Sequence, residues 1–442
     1  MKLISDNIRH SLNIIHKYIF YVFVFLLPWQ TIWIVREVFF DNEKWQYGTI
    51  GIYLSDILLV VLISLSIYLY KNHILLYITK NKKLIISALL FLLWGFASTL
   101  LASDKLLALY FSFKLLLAFN LFFLVQIIPI KIRTMSFVLI GSIFIQNILG
   151  LYQFVTQNTF AQKLFGISHY DVWRGGTAII NTADERWLRM YGAMPHPNMF
   201  GGLLLCGLLL SVYLYITTKK SASIVQIFLL TSIAMTTSSI ILTFSRITWI
   251  TSCVGIFALI IFIFKSRYYN TRKLLAPSLL ILMTALLFFG TLHHVLFSRV
   301  AHDTTYSHNS ISDRHLYMNH AKQLIAKNPI FGSGIGNYTT TIFHIDNHTY
   351  PIWYYQPVHN IYILTIAEIG IIGFILFTIF FILVFHQIYT KRKNIKIANC
   401  AFLITTISIL LIAFFDHWPI TSHFGLLFLF FILGLSLPRH AR

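Results

Sequence analysis

Acidic residues are scarce, with Asp and Glu filling 14 of 442 positions. All charged types together reach 11%, less than half the share usual in soluble proteins. That shortage excludes a secreted enzyme, a cytosolic globule and a disordered chain. Cysteine is nearly missing as well. Cys206, Cys253 and Cys400 lie inside apolar runs and show no metal-type spacing, so they read as packing residues and say nothing of redox compartment. No fixed-period repeat, no Gly-x-Ser-x-Gly elbow and no Cys/His pairing is present, which removes solenoids and the familiar signatures of covalent acyl chemistry.

Long apolar runs take the place of charge. Hydrophobic side chains make up 57% of the chain, in stretches of roughly 18 residues or more, each enough to cross a bilayer of about 30 Å. The expected fold is an all-α polytopic membrane protein, a single integral membrane domain over 1–442. About twelve transmembrane helices are expected, at 18–36, 53–70, 84–102, 107–129, 134–154, 198–218, 222–243, 247–264, 274–296, 358–388, 398–415 and 420–437. The first reads as a retained span, since no small-residue cleavage site follows it. The net charge of +20 then resolves into topology. Alternate connections hold Lys2, Arg9 and Lys17; Lys71, Lys80, Lys82 and Lys83; Lys131 and Arg133; Lys219 and Lys220; Lys265, Arg267, Arg272 and Lys273; Lys391, Arg392, Lys393 and Lys396; and Arg439 and Arg442, with Asp6 as their sole acid. The positive-inside rule makes those segments and both termini cytoplasmic. The charge needs no nucleic-acid partner, because no basic, aromatic-interleaved soluble domain exists to hold one.

The opposite face carries the two large loops, 155–197 and 297–357, and any chemistry is expected there. The first closes on Arg189, Tyr191, Pro195, His196 and Pro197, with Asn198 placed to cap the next helix. Arg246 sits in a minimal turn, Thr243-Phe244-Ser245-Arg246, between two apolar helices and has no acid near it in sequence. A guanidinium there is a snorkelling anchor or, as favoured here, an anion site with donors suited to phosphate oxygens. In the second loop, Ser312-Asp313 are expected to start an amphipathic helix with a stripe of Tyr317, Ala321, Leu324 and Ile325, stopped by Pro329. Arg314 would fall in its first turn, where anions are favoured. Gly332-Ser333-Gly334-Ile335-Gly336 reads as a flexible connector and lacks the lysine and helix of a phosphate loop. Trp353, Tyr354 and Tyr355 precede His359 and Asn360 at the mouth of a span. His359 is suited to proton transfer near neutrality. Glu368 lies about two and a half turns deeper, an intramembrane acid and so a candidate by type, with Gly370 and Gly373 beside it for close helix packing. His344, Asp346 and His348 supply too few well-placed ligands for a metal centre, and His293, His294, His302 and His308 read as loop or interfacial histidines.

His359-Asn360 followed by Gly370-x-x-Gly373 resembles the signature of the O-antigen ligase/polymerase superfamily, bacterial polytopic membrane glycosyltransferases. Pro197-Asn198, Ser245-Arg246, Arg314 and Asn328-Pro329-Ile330-Phe331-Gly332-Ser333-Gly334 extend the likeness over about 186–375. The resemblance implies a GT-C-like fold in the bacterial cytoplasmic membrane. It also implies metal-independent, cofactor-free transfer of a polyprenyl-diphosphate-linked glycan to an acceptor hydroxyl on the outer face, as in lipopolysaccharide biosynthesis. Arg246 and Arg314 would hold the diphosphate and His359 would act on the acceptor hydroxyl. Arg189, Tyr191, His196, Asn198, Asn360 and Glu368 would contact substrate. Ligation, repeat-unit polymerisation and transfer to a protein hydroxyl stay open, since no outer-loop motif identifies the acceptor. A transporter of lipid-linked glycan is the rival class. It should show similar halves and polar midplane helices, whereas here Asp56, Lys114 and Glu368 are the few charges within spans. A scaffold would give the arginines and His359 no role.

Overall fold

The computed structural model describes residues 2–40, 43–182, 185–219, 221–266, 269–301, 305–346 and 351–438. In hydrocarbon every backbone amide must find a partner within the protein, so long apolar runs fold as helices. The chain runs through α1 (Lys2–Leu26), α2 (Leu54–Lys80), α3 (Lys82–Ser98), α4 (Lys105–Ile127), α5 (Ile132–Thr156), α6 (Pro197–Thr217), α7 (Ser223–Leu242) and α8 (Arg246–Lys265). It continues with α9 (Leu275–Thr291), α10 (His293–Ala301), α11 (Thr305–Lys327), α12 (Tyr338–Ile345), α13 (Ile361–Thr390), α14 (Ile397–Ile412), α15 (Trp418–Thr421) and α16 (His423–Ser436). Among the described residues, eight helices are long and apolar enough to cross a membrane, with α14 and α16 shorter and equally apolar. The protein is a polytopic, mainly helical membrane protein. α6 is its axis: 94% of its most apolar stretch is buried, against 17% for the segment Thr271–Thr291, which lies at the rim.

Three expectations are corrected. The first span was expected to reach residue 36, but α1 stops at Leu26 because Pro28 cannot continue a helix and disfavours helical backbone before it. Ile32–Arg36, rich in β-branched residues, instead pairs antiparallel with Ile50–Tyr53. The helix in the second large loop begins at Thr305, so Asp313 and Arg314 lie two turns inside α11 rather than in its first turn. Its apolar stripe is as expected: Tyr317, Ala321 and Leu324 are buried against Tyr338, Phe343, Tyr355 and Leu364 of the following segments.

The glycine-rich connector is a docked loop, not a flexible one. α13 breaks at Gly370, whose φ of 69° suits glycine. The break strands backbone groups, and each finds a specific partner. Ser333 N donates to Ala367 O (3.0 Å), Gly334 N to Glu368 O (2.7 Å) and Trp94 Nε1 to Ile369 O (2.8 Å), while Ile371 N donates to Pro329 O (2.9 Å). A Cβ at Gly370 would run into the Ile330 carbonyl, and one at Gly332 into the Glu368 carbonyl. Gly370 thus admits a loop rather than a neighbouring helix.

Candidate active site

Segments 155–197 and 297–357 and the α14–α15 linker meet at one end of the bundle. The α7–α8 turn organises the meeting point. Phe244 holds a left-handed backbone (φ 49°), rare for a bulky residue, with its ring buried near Phe154 and Trp249. The turn aims successive carbonyls at two guanidinium groups: Thr243 O accepts from Arg189 Nε (2.6 Å) and Phe244 O from Arg299 Nε (3.1 Å). Arg246 opens α8 immediately after the turn. Arg314 comes to the same place from α11.

An open cavity of about 230 Å³ lies here, lined by Arg189, His196, Asn198, Arg299, Asp313, Arg314, Tyr317, Gln356 and His359. Burial, then the charges of Arg246 and Arg314, disfavour the charged form of Arg299; burial, then Arg299, do the same to Arg189. A guanidinium stays charged in proteins, so the crowding makes the site attractive to a polyanion.

A second set of groups borders the cavity. His359 Nδ1 stands 3.9 Å from Asp416 Oδ1. The His417 ring lies 5.0 Å from that of His359, and the Tyr317 ring 5.7 Å away. Asp416 is buried and held by several donors: Asn198 Nδ2 to Oδ2 (2.8 Å), and the backbone amides of His417 (2.8 Å) and Trp418 (3.4 Å) to Oδ1. Burial by itself would favour its neutral acid; the neighbouring His359 outweighs it and holds the carboxyl below its usual range. Burial, then Arg189, push His196 down to about 3.

The residues expected from sequence divide. Arg189, His196, Asn198, Arg314 and His359 line the cavity, and Arg246 acts on it through its charge. Tyr191, Asn360 and Glu368 do not line it. Tyr191 is buried, its hydroxyl accepting from Ala178 N (2.6 Å) and its ring stacked on Tyr170. Asn360 caps α13 by accepting from Tyr362 N (3.0 Å) and Ile363 N (3.1 Å). Glu368 borders a separate apolar cavity of about 70 Å³ with Phe91, Phe111 and Tyr338, and accepts from Tyr338 N (3.4 Å). The α6 cap is His196, whose Nδ1 accepts from Asn198 N (3.2 Å), rather than Asn198. Tyr355 is buried, while the side chain of Trp353 lies outside the described residues, as do His302, His348 and the side chain of His308.

Sequence reading missed Arg299, Asp416 and His417. Asp416-His417 was legible only as an acid beside a histidine in a short linker. His359, Asp416 and His417 also form a trio whose ligand-type atoms lie within 4.8 Å of one another. The donor set suits a transition metal. However, both Asp416 oxygens already accept hydrogen bonds and the nearby guanidiniums repel a dication, so the trio fits a proton-handling role better.

Arg246, Arg299, Arg314 and His359 all come from one stretch of chain. Residues 231–378 match the O-Antigen ligase family. That match bears out the resemblance read from the motifs and supports a membrane enzyme of the O-antigen ligase superfamily. Arg189, Asn198 and Asp416 lie outside the matched segment and are brought to it by flanking helices. No curated protein matches the chain.

Proposed function

We propose that the protein is a metal-independent glycosyltransferase that moves a polyprenyl-diphosphate-linked glycan onto an acceptor hydroxyl at the outer face of the bacterial cytoplasmic membrane. The observation that carries this reading is one cavity lined by crowded arginines and by His359, with the Asp416 carboxylate behind that histidine. The acceptor oxygen attacks the anomeric carbon of the glycan. The bond from that carbon to the diphosphate oxygen breaks, and polyprenyl diphosphate leaves with the electron pair. Arg246, Arg299 and Arg314 stabilise the leaving charge, which needs cations more than a proton. With Nδ1 turned toward Asp416, His359 takes the acceptor proton at Nε2. The polyprenyl tail remains in the bilayer beside the bundle.

The test is transfer by the purified protein from a polyprenyl-diphosphate glycan, with acceptors of each type supplied separately. His359→Ala at normal membrane levels is expected to lose transfer by about 100-fold or more, while a chelator leaves the wild-type rate unchanged. Full transfer by the variant, or loss on chelation that added metal restores, would overturn the mechanism.

A further inference from the structure

We propose that Asn198 is a positioning residue that couples the donor-binding arginines to the base, because its amide bridges Arg189 to Asp416 and so sets how Asp416 faces His359. This rests on the transfer reaction proposed above.

Both ends of the amide are engaged. Asn198 Oδ1 accepts from Arg189 Nη2 (2.7 Å) and its Nδ2 donates to Asp416 Oδ2 (2.8 Å). A neutral side chain of this length that accepts from a guanidinium and donates to a carboxylate is an amide; aspartate offers acceptors only and leucine offers neither. The backbone beneath it is fixed, since Pro197 opens α6 and the His196 ring accepts from Asn198 N. On one side Arg189 lines the cavity and is anchored by Thr243 O. On the other, Asp416 has its second oxygen fastened to the His417 and Trp418 amides and turned to His359 Nδ1.

The bridge has a direction. An anion bound on the arginines draws on the Arg189 guanidinium, which alters what Asn198 Oδ1 receives and what its Nδ2 gives to Asp416. Donor occupancy is thereby felt at the base through Arg189, whether or not the donor itself touches Asn198. In the empty site the same amide keeps the Asp416 carboxylate from swinging to Arg189. That switch would form a tight ion pair and leave His359 without its acceptor.

Among the described residues, the charged and titratable groups around His359 are Asp416 and His417 from the linker, Asp313, Arg314 and Tyr317 from α11, Arg299 from α10, and Arg189 and His196 from the first large loop. The experiment compares the wild type, Asn198→Leu, Asn198→Asp and Asn198→Gln in the full-length protein, measuring kcat, donor KM and the pH profile of kcat. Each variant is checked for a monodisperse peak in detergent. In Asn198→Leu, kcat is expected to fall about 100-fold while donor KM changes by no more than about threefold. The acid limb of its profile is expected to move to lower pH. Asn198→Asp, which keeps the Arg189 contact but sets a second carboxylate beside Asp416, is expected to move that limb the other way. Asn198→Gln is expected to recover part of the rate. In an Asp416→Ala background, Asn198→Leu should add little.

If Asn198→Leu raises donor KM with kcat and profile unchanged, Asn198 is a donor contact and the proposal fails while the reaction stands. Should Asn198→Leu not fold, an unshifted limb in Asn198→Asp overturns the proposal just as well. A wild type that binds polyprenyl diphosphate but transfers to none of the acceptors overturns the reaction and this inference together.

Discussion

Two groups of charges are packed into this protein, and they behave in opposite ways. Lys114 of α4 is ion-paired with Asp56 of α2, lies 3.4 Å from His423 Nδ1 and sits over the rings of Tyr53 and Tyr110. His423 in turn stacks on Tyr53 at 3.8 Å and shares a hydrogen bond with Ser55 Oγ (2.7 Å). Cation meets anion, and two aromatic rings close over the cation. At the cavity, Arg189, Arg299 and Arg314 line the walls with Asp313 as the one lining carboxylate among the described residues, and Asp416 behind them is committed to an amide and the backbone. The first arrangement neutralises its own charge. The second gathers one sign of charge beside an opening, which is how a protein holds a place for a charged ligand. In sequence both sets look alike, as scattered charges in apolar surroundings.

Substitutions separate the two roles. Arg314→Ala is expected to reduce transfer from the lipid-linked donor by more than about 100-fold, with thermal stability in detergent unchanged or raised because a like charge has gone. A variant that keeps the wild-type rate would take Arg314 out of the donor site. Lys114→Ala should do the reverse. It leaves Asp56 buried without its cation, costing on the order of 3–5 kcal/mol of stability, while transfer per folded molecule stays within about threefold of wild type. Lys114→Met combined with Asp56→Leu should restore the melting temperature; failure to do so would mean the pair does more than neutralise itself.

The smallest effect expected is on pH. Burial first, and His359 next, push His417 down from 6.5 to about 3. The unfolded chain therefore takes up a proton below about pH 6.5 that the folded chain refuses, so stability falls as pH drops from there toward 3. A melting temperature that declines between pH 7 and 5, with a shallower decline in His417→Gln, is the expected pattern. Identical slopes would remove His417 from the set of groups kept neutral by the fold.

Much of the architecture was readable because the bilayer imposes length. Beyond the first span, helices overlap the stretches expected from sequence, and the α2 span expected to end at residue 70 has a backbone kink at Tyr70. The candidate cavity was legible where an unusual residue stood in an unusual place: His359 at a span mouth lines it, and Arg246 between apolar helices acts on its Arg299. Arg299 escaped notice because nothing local marks it, and its partner is the carbonyl of Phe244, 55 residues away. Asp416 escaped for the same reason, since its role exists only where Asn198 and His359 meet it in three dimensions. Asn360 and Glu368 illustrate the converse. Each stood out in sequence, and each is engaged in the structure by backbone amides at the start of a helix.

The break in α13 bears on how His359 is held in a moving membrane. A continuous thirty-residue rod would carry any tilt of its buried half straight to its tip, and His359 sits just beyond that tip. With the rod cut at Gly370, the upper piece is fastened sideways to Trp94, Ser333 and Gly334, and through Ile361 N to Ala413 O (2.9 Å). Changes in bilayer thickness or lipid order are then absorbed as bending below the cut. The geometry around His359 is thus insulated from the solvent in which the rest of the bundle floats.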